Sequence, residues 1–285
     1  MKRLTKDSKI LIVGLGLIGG SYAEALTDKG YEVGAIARRQ ETIDLALERG
    51  FIAHGTTEIT REYISRFDII VFSLYPEVFK SWVENNQSCI KDGAILMDVT
   101  GVKRSVVYDI QAMLKNGVEF IGAHPMAGKE VYGVENSDKR IFMNANYIVT
   151  PTDKNTYEAI EMCKELGKEL GFKTVTCLSP EEHDEMIGFL SQLTHCIAVS
   201  LMCCKDSKHL VDYTGDSFRD LTRIAKINDA MWSELFMLNR DKLLAQMELF
   251  SDKFTELKEA LRRGDTDKMR EMMRVSTERR KFFDK

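Results

Sequence analysis

Over roughly the first 180 residues, apolar and polar positions alternate between two periods. Short apolar, β-branched runs at residues 9–13, 31–37, 67–72 and 94–99 have the length and composition of buried strands. Each is followed by apolar residues at helical spacing, at 20–29, 41–49, 77–85 and 105–114. A short strand near Phe51 and another at 119–122 complete the series. This order predicts a parallel sheet with helices on both faces. The pattern then changes to a polar, irregular stretch at 135–144, a strand at 147–149, an amphipathic helix at 156–170 ended by Gly171, and a last strand at 172–178. Ser179-Pro180-Glu181-Glu182 supplies an N-cap serine, a proline at the first helical position and a capping-box glutamate, so a long helix starts there and runs towards Lys205. Beyond it the sequence predicts helices only. Leu243, Met247, Phe250, Phe254, Leu257 and Leu261 form a heptad-spaced seam that either packs inside a helix bundle or is covered by a second copy of the chain. The predicted fold class is α/β: an N-terminal Rossmann-type doubly wound sheet over residues 1–178, then an all-α domain over 179–285 that dimerises.

The first strand enters GLGLIGGS, where Gly14, Gly16 and Gly19 fit G-x-G-x-x-G between a strand and a helix. Gly14 makes the sharp turn, Gly16 admits a pyrophosphate to the backbone and Gly19 lets the helix pack on the strand. Leu15, Leu17 and Ile18 complete that loop. Turns at 73–76, 100–103 and 122–128 share the carboxyl edge of the predicted sheet, which adds Ser73, Leu74 and Thr100 as cofactor contacts. The second strand ends Ala37-Arg38-Arg39-Gln40, with no carboxylate for a ribose 2′-hydroxyl. Two guanidiniums there suit a 2′-phosphate, which favours NADP over NAD.

FIGAHPMAGKEVYG, residues 120–133, holds His124 before Pro125, with Lys129 and Glu130 close by. Proline disfavours helical dihedrals at His124, so the imidazole is expected on a turn at a strand end, either as a general base or as a structural turn histidine. Arg223, in GDSFRDLTRI, grips a carboxylate if it turns inwards and is otherwise solvated. His195, in SQLTHC, is either a core histidine or a pocket residue.

Composition narrows the partners. The 285 residues carry 40 Lys and Arg against 44 Asp and Glu, a net charge of −4 with the signs interspersed. That gives no electrostatic case for nucleic acid or an anionic membrane. The apolar run at 10–13 is too short for a signal segment, no later stretch reads as a membrane span, and a cytoplasmic protein is expected. The six cysteines include no CxxC pair and read as reduced, mostly buried thiols. His195, Cys196 and Cys203 are the alternative, a metal site, but the expectation is no metal.

Together GLGLIGGS, GAHPMAGKEVYG, SPEEHDEMIGFLSQLTH and SFRDLTRIAKINDAMW resemble, in order and over essentially the whole chain, the prephenate/arogenate dehydrogenases of tyrosine biosynthesis. The resemblance implies a Rossmann domain, a helical dimerisation domain, and NAD- or NADP-linked oxidative decarboxylation of prephenate or arogenate in a monofunctional homodimer. By position, His124 is similar to the family's catalytic histidine, Arg223 to the arginine that holds a substrate carboxylate, and His195 and Glu130 to pocket residues, Glu130 within a polar network at the mouth. Three departures stand out: Gly101, next to Thr100, where some members place a serine; Lys129 where others have threonine; and a longer loop at 73–76. A hydroxyacid or imine reductase, or a dinucleotide-binding sensor without turnover, are the rival readings.

Overall fold

A computed structural model describes residues 3–205 and 208–284. Its sheet is built from β1 (Lys9–Val13), α1 (Leu17–Asp28), β2 (Glu32–Ile36), α2 (Gln40–Glu48), β3 (His54–Thr56), α3 (Arg61–Ile64), β4 (Ile69–Phe72), α4 (Pro76–Asn86), β5 (Ile95–Asp98), α5 (Arg104–Met113), β6 (Glu119–Pro125), β7 (Asn146–Thr150), α6 (Tyr157–Glu169) and β8 (Thr174–Cys177). The strand order is β3-β2-β1-β4-β5-β6-β7-β8. β1 to β6 are parallel, whereas β7 runs antiparallel to β6 and carries β8 parallel to itself. Order reverses between β1 and β4, which opens a crevice at their carboxyl ends. Ile10 and Ile12 enter one core and Leu11 and Val13 the other, so the first strand is buried on both faces and reads as an unbroken apolar run.

Several boundaries differ from the sequence reading. Helix α1 starts at Leu17, inside the glycine loop, three residues before the predicted start. The strand expected near Phe51 is β3 at His54, and α3 was not foreseen. The irregular stretch holds two 3₁₀ turns, Val134–Asn136 and Lys139–Phe142, the first packed on α1 through Ser137. Most consequential, His124 lies in a strand and not on a turn. β6 continues to Pro125 because β7 pairs with its last residues, His124 opposite Ile148 and Pro125 opposite Tyr147. β5 pairs with β6 only through Ile121. Backbone N–H groups two residues apart point the same way, and on the β5 side Ala123 donates to Asp98 Oδ1 at 3.0 Å. The N–H that Pro125 lacks therefore faces a side with no ladder to complete.

The helical part begins with α7 (Pro180–Ile187), continues through one π turn (Gly188–Gln192) and then α8 (Leu193–Cys203), forming one long helix with the predicted capping box between Ser179 and Glu182. α9 (Asp216–Thr222), a 3₁₀ turn (Arg223–Ala225), α10 (Asp229–Leu238), α11 (Arg240–Arg263) and α12 (Thr266–Arg280) follow. Contrary to expectation, helix 180–203 is long and apolar enough to cross a membrane by length and composition. Its polar residues His183, Asp184 and Gln192 are buried and bonded within the fold, while Phe189 and Leu190 face outwards. Buried polar groups tied to neighbours mark a packed helix. The seam on α11 is mostly open: Leu243 is buried, but Phe254 is 61% and Leu261 67% exposed, so its own bundle does not cover it. Among the cysteines only Cys163 is buried, and Cys177, Cys203 and Cys204 are exposed, which corrects the expectation of mostly buried thiols.

The helical layer closes over the carboxyl edge of the sheet. Arg104 holds Asp241 bidentately at 2.9 and 2.6 Å, Glu234 accepts from the Glu77 N–H at 2.8 Å, and Asn228 donates to the Tyr75 hydroxyl at 3.0 Å. Beneath this edge Lys103 Nζ lies 2.6 Å from Asp98 Oδ2, both side chains fully buried. Beside this pair Gly122 admits no side chain, since a Cβ there would strike Thr150 Oγ1 and sit 2.7 Å from Val107 Cγ2 and 3.3 Å from Lys103 Cδ. Removing one partner strands a buried charge, so Lys103→Met is expected to lower stability by about 3–5 kcal/mol. Asp98→Asn with Lys103→Met should recover part of that loss. Denaturant midpoints check this, and an unchanged midpoint in Lys103→Met would show that the pair is not structural.

Candidate active site

At the crevice the glycine loop is shaped by contact. Gly14 has φ +98°, and a Cβ on it would strike the Ser73 carbonyl oxygen and lie 2.9 Å from Leu74 Cδ2. A Cβ on Gly19 would strike the Gly14 carbonyl oxygen, whereas nothing lies within 4 Å of the corresponding position on Gly16. The loop is thus closed against the turn that follows β4 on one side and open over Gly16, where backbone can meet a pyrophosphate. At the end of β2, Ala37 is buried, and Arg38 and Arg39 are exposed with no ion pair among the described residues. Thr100 does not offer its hydroxyl to this crevice. It is buried against Asp98 Oδ2, 2.9 Å from the Val102 carbonyl oxygen, and accepts from Lys103 Nζ at 3.0 Å.

His124 stands at the end of β6, with Nδ1 2.8 Å from Nε2 of His183. His183 Nδ1 in turn lies 2.8 Å from Asp184 Oδ1. Asp184 accepts from the backbone N–H of Lys103 at 2.7 Å and of Arg104 at 2.8 Å, at the start of α5. The other ring nitrogen of His124 faces Gly101, 3.9 Å from where a Cβ would be, and Leu235 of α10 closes the far side at 3.5 Å. Part of the His124 surface reaches solvent, yet the ring itself is enclosed. Burial holds its pKa well below the ordinary histidine value, and the neighbouring His183 and Lys103 push the same way. Burial also lowers His183, against the pull of Asp184.

A second cluster flanks the same helix. The His195 ring lies on Trp232 with centroids 3.7 Å apart, and its Nδ1 is 2.9 Å from the Ser191 carbonyl oxygen. Burial lowers the His195 pKa, and both Glu130 and Arg223 act on it electrostatically. Arg223 is paired with Glu130, its side chain 64% exposed. Trp232 and Leu235 are three residues apart on α10 and share a face, which links this cluster to Gly101 and His124. Lys129 is turned away towards Asp138, with Nζ 3.7 Å from Oδ2.

Comparison with known proteins agrees over both domains. The family described as "Prephenate dehydrogenase, nucleotide-binding domain" matches residues 22–176, and "Prephenate dehydrogenase, dimerization domain" matches residues 179–275. The chain belongs to the prephenate dehydrogenase family. A prephenate dehydrogenase of Bacillus subtilis is 30% identical to this family member, over 93% of this chain and 72% of its own. A cyclohexadienyl dehydrogenase of Zymomonas mobilis is 25% identical over 97% and 96% of the two chains. The solved prephenate dehydrogenase of A. aeolicus, in complex with hydroxyphenyl propionate and NAD+, superposes with a TM-score of 0.90 at 30% identity, covering 99% of this chain and all of that one. As a prephenate dehydrogenase family member, the chain is an oxidoreductase with a nucleotide-binding domain and a dimerisation domain.

Of the residues singled out in the sequence, the fold gathers the glycine loop with Ser73 and Leu74, sets Gly101 beside His124, and groups Glu130, His195 and Arg223. It does not direct the Thr100 hydroxyl or the Lys129 ammonium into either cluster. Asp98, Lys103, His183 and Asp184, none of them among the residues singled out in the sequence, surround His124. The one local signal was weak: His183 falls one helical turn before the apolar Ile187. An NMR titration of the His124 ring should give a midpoint below the ordinary value of about 6.5. A midpoint at or above that value would contradict the enclosed, neutral imidazole.

Proposed function

We propose that this enzyme oxidises prephenate with NADP, releasing carbon dioxide and 4-hydroxyphenylpyruvate, and that it works as a homodimer. The observation that carries the reading is His124: an imidazole anchored through Nδ1, with Nε2 turned to the space beside Gly101 at the carboxyl edge of a dinucleotide-binding sheet. The crevice suits a dinucleotide, since the loop is open over Gly16 and two guanidiniums without an ion pair among the described residues stand at the end of β2. A nicotinamide bound there would supply the acceptor for the hydride that leaves the ring carbon bearing the hydroxyl. His124 takes the hydroxyl proton as that carbon becomes a carbonyl. Loss of carbon dioxide then sends an electron pair back through the ring to the oxygen, and His124 returns the proton to the phenol. Aromatisation supplies the driving force, so the protein's task is orientation and a base matched to neutral pH.

Arg223 binds a substrate carboxylate in exchange for Glu130, and His195, stacked on Trp232, lines the pocket beside it. Gly101 leaves the substrate hydroxyl to His124 alone, where a serine would add a second partner. Arg38 and Arg39 hold the 2′-phosphate of NADP. The open seam of α11 is the surface that a second copy covers, which fits the description of the domain it belongs to.

Initial rates at 340 nm with prephenate or arogenate, each with NADP or NAD, test the assignment. Prephenate with NADP should be the fastest pair, and no absorbance change with any pair, in folded protein that binds the cofactor, would overturn it. His124→Asn should lose about 10²- to 10⁴-fold in kcat with little change in KM. Arg223→Ala should chiefly raise KM, by roughly ten- to a hundredfold for a lost charged hydrogen bond. Replacing Arg38 and Arg39 by Ala should raise KM for NADP and leave that for NAD unchanged. Equal effects on both cofactors would remove the case for a 2′-phosphate site.

A further inference from the structure

We propose that His183 and Asp184, carried by the helical domain, are positioning residues that fix the tautomer of His124, so that its Nε2 presents a bare lone pair to the substrate hydroxyl. The inference rests on His124 being the base of the proposed reaction. It begins at the start of α5, where the N–H groups of Lys103 and Arg104 each donate to a different oxygen of Asp184. Both oxygens are then acceptors, so the third neighbour, His183 Nδ1 at 2.8 Å, donates as well. A neutral imidazole has one N–H, and with Nδ1 donating, Nε2 of His183 accepts. The atom 2.8 Å from it is His124 Nδ1, which must carry the proton. His124 Nε2 is left without one, and it is the nitrogen that faces Gly101. The proton positions follow from the network of donors and acceptors.

Reversing the chain would require a protonated Asp184 held against two backbone donors, or a second buried cation next to Lys103. Burial, and the Lys103 ammonium in its pair with Asp98, keep both imidazoles neutral. The aspartate is fixed from below as well, because Asn239 donates to its carbonyl oxygen at 2.8 Å and also to Gln192 Oε1 at 2.8 Å. The base is therefore divided between the domains: the nitrogen that reacts stands on the sheet, and the groups that set its proton stand on α7. An imidazole that needs only packing would not require a carboxylate locked by two peptide N–H groups.

Two measurements test this. In uniformly ¹⁵N-labelled protein without substrate, two-bond ¹H–¹⁵N spectra of the five histidines, assigned with His124→Asn and His183→Gln, should show both rings neutral and protonated on Nδ1. A His124 ring protonated on Nε2 would overturn the proposal, and this outcome does not depend on which substrate the enzyme takes. In kinetics, His183→Leu should lower kcat about 10²-fold or more with KM changed by no more than about twofold, the split expected when only the reacting state is affected. His183→Gln, whose amide oxygen can accept from His124 Nδ1, should recover about tenfold of that loss. A folded His183→Leu enzyme with kcat within about threefold of the parent would overturn the role. If that variant does not fold, the spectra of the parent protein decide the question. Absence of turnover on any cyclohexadienyl substrate, with the predicted tautomers observed, would instead overturn the functional reading and leave the relay standing.

Discussion

One hydrogen bond, between His124 and His183, joins the two halves of the molecule at the point where chemistry is expected. It is 2.8 Å long and connects the end of β6 to the first helix of the C-terminal domain. Much of the surrounding structure serves to hold its two ends. On the sheet side Asp98 receives the Ala123 N–H and the Lys103 ammonium, which fixes the end of β6 relative to β5. On the helical side the capping box at Ser179 starts α7, and Asp184 docks it onto the first N–H groups of α5. A carboxylate at a helix N-terminus is favoured by both the free donors and the dipole. The same contact thus fastens the domains and orients the imidazole.

The dinucleotide crevice is a separate construction with a different logic. It depends on absent side chains: Gly14 and Gly19 are pressed against the turn after β4 and against each other, and Gly16 is left open. It depends also on topology, because only where strand order reverses do neighbouring loops diverge enough to admit a ligand. Arg38 and Arg39, just after β2, reach solvent beside it with no ion pair among the described residues, so their charge is available to a bound anion. α10 bridges this region and the His195 cluster, with Trp232 against His195 and Leu235 over Gly101. Its attachment to the β4–α4 turn, through Asn228 and Glu234, brings the helical layer over the cofactor loops.

The sheet was legible in the sequence because both of its faces are buried, which leaves apolar runs too regular to miss, and because the glycine loop has a mechanical reason at each position. His124 was legible as a motif and misplaced as geometry. Pro125 signals a turn locally, but β7 supplies an antiparallel partner from beyond Asn144, and no local pattern announces that pairing. Asp98, Lys103, His183 and Asp184 were passed over for the same reason. The contacts that give them meaning run across 25 residues of chain for Asp98 and 59 to 81 for Lys103, His183 and Asp184, and an HD pair near the start of a helix looks like an ordinary solvated face until the helix is docked. Thr100 shows the converse. Its position at the sheet edge was read correctly, but its hydroxyl is drawn inwards by Asp98, which only the folded loop reveals.

The most direct test of the central claim is a crystal structure of this enzyme with NADP and a phenolic analogue of the product, such as hydroxyphenyl propionate. The phenolic oxygen should lie beside Gly101, at about 2.6–3.2 Å from His124 Nε2, with the analogue's carboxylate on Arg223 and Glu130 displaced from it. A phenol bound away from His124, or a ring lying the other way round with its carboxylate at the imidazole, would contradict it.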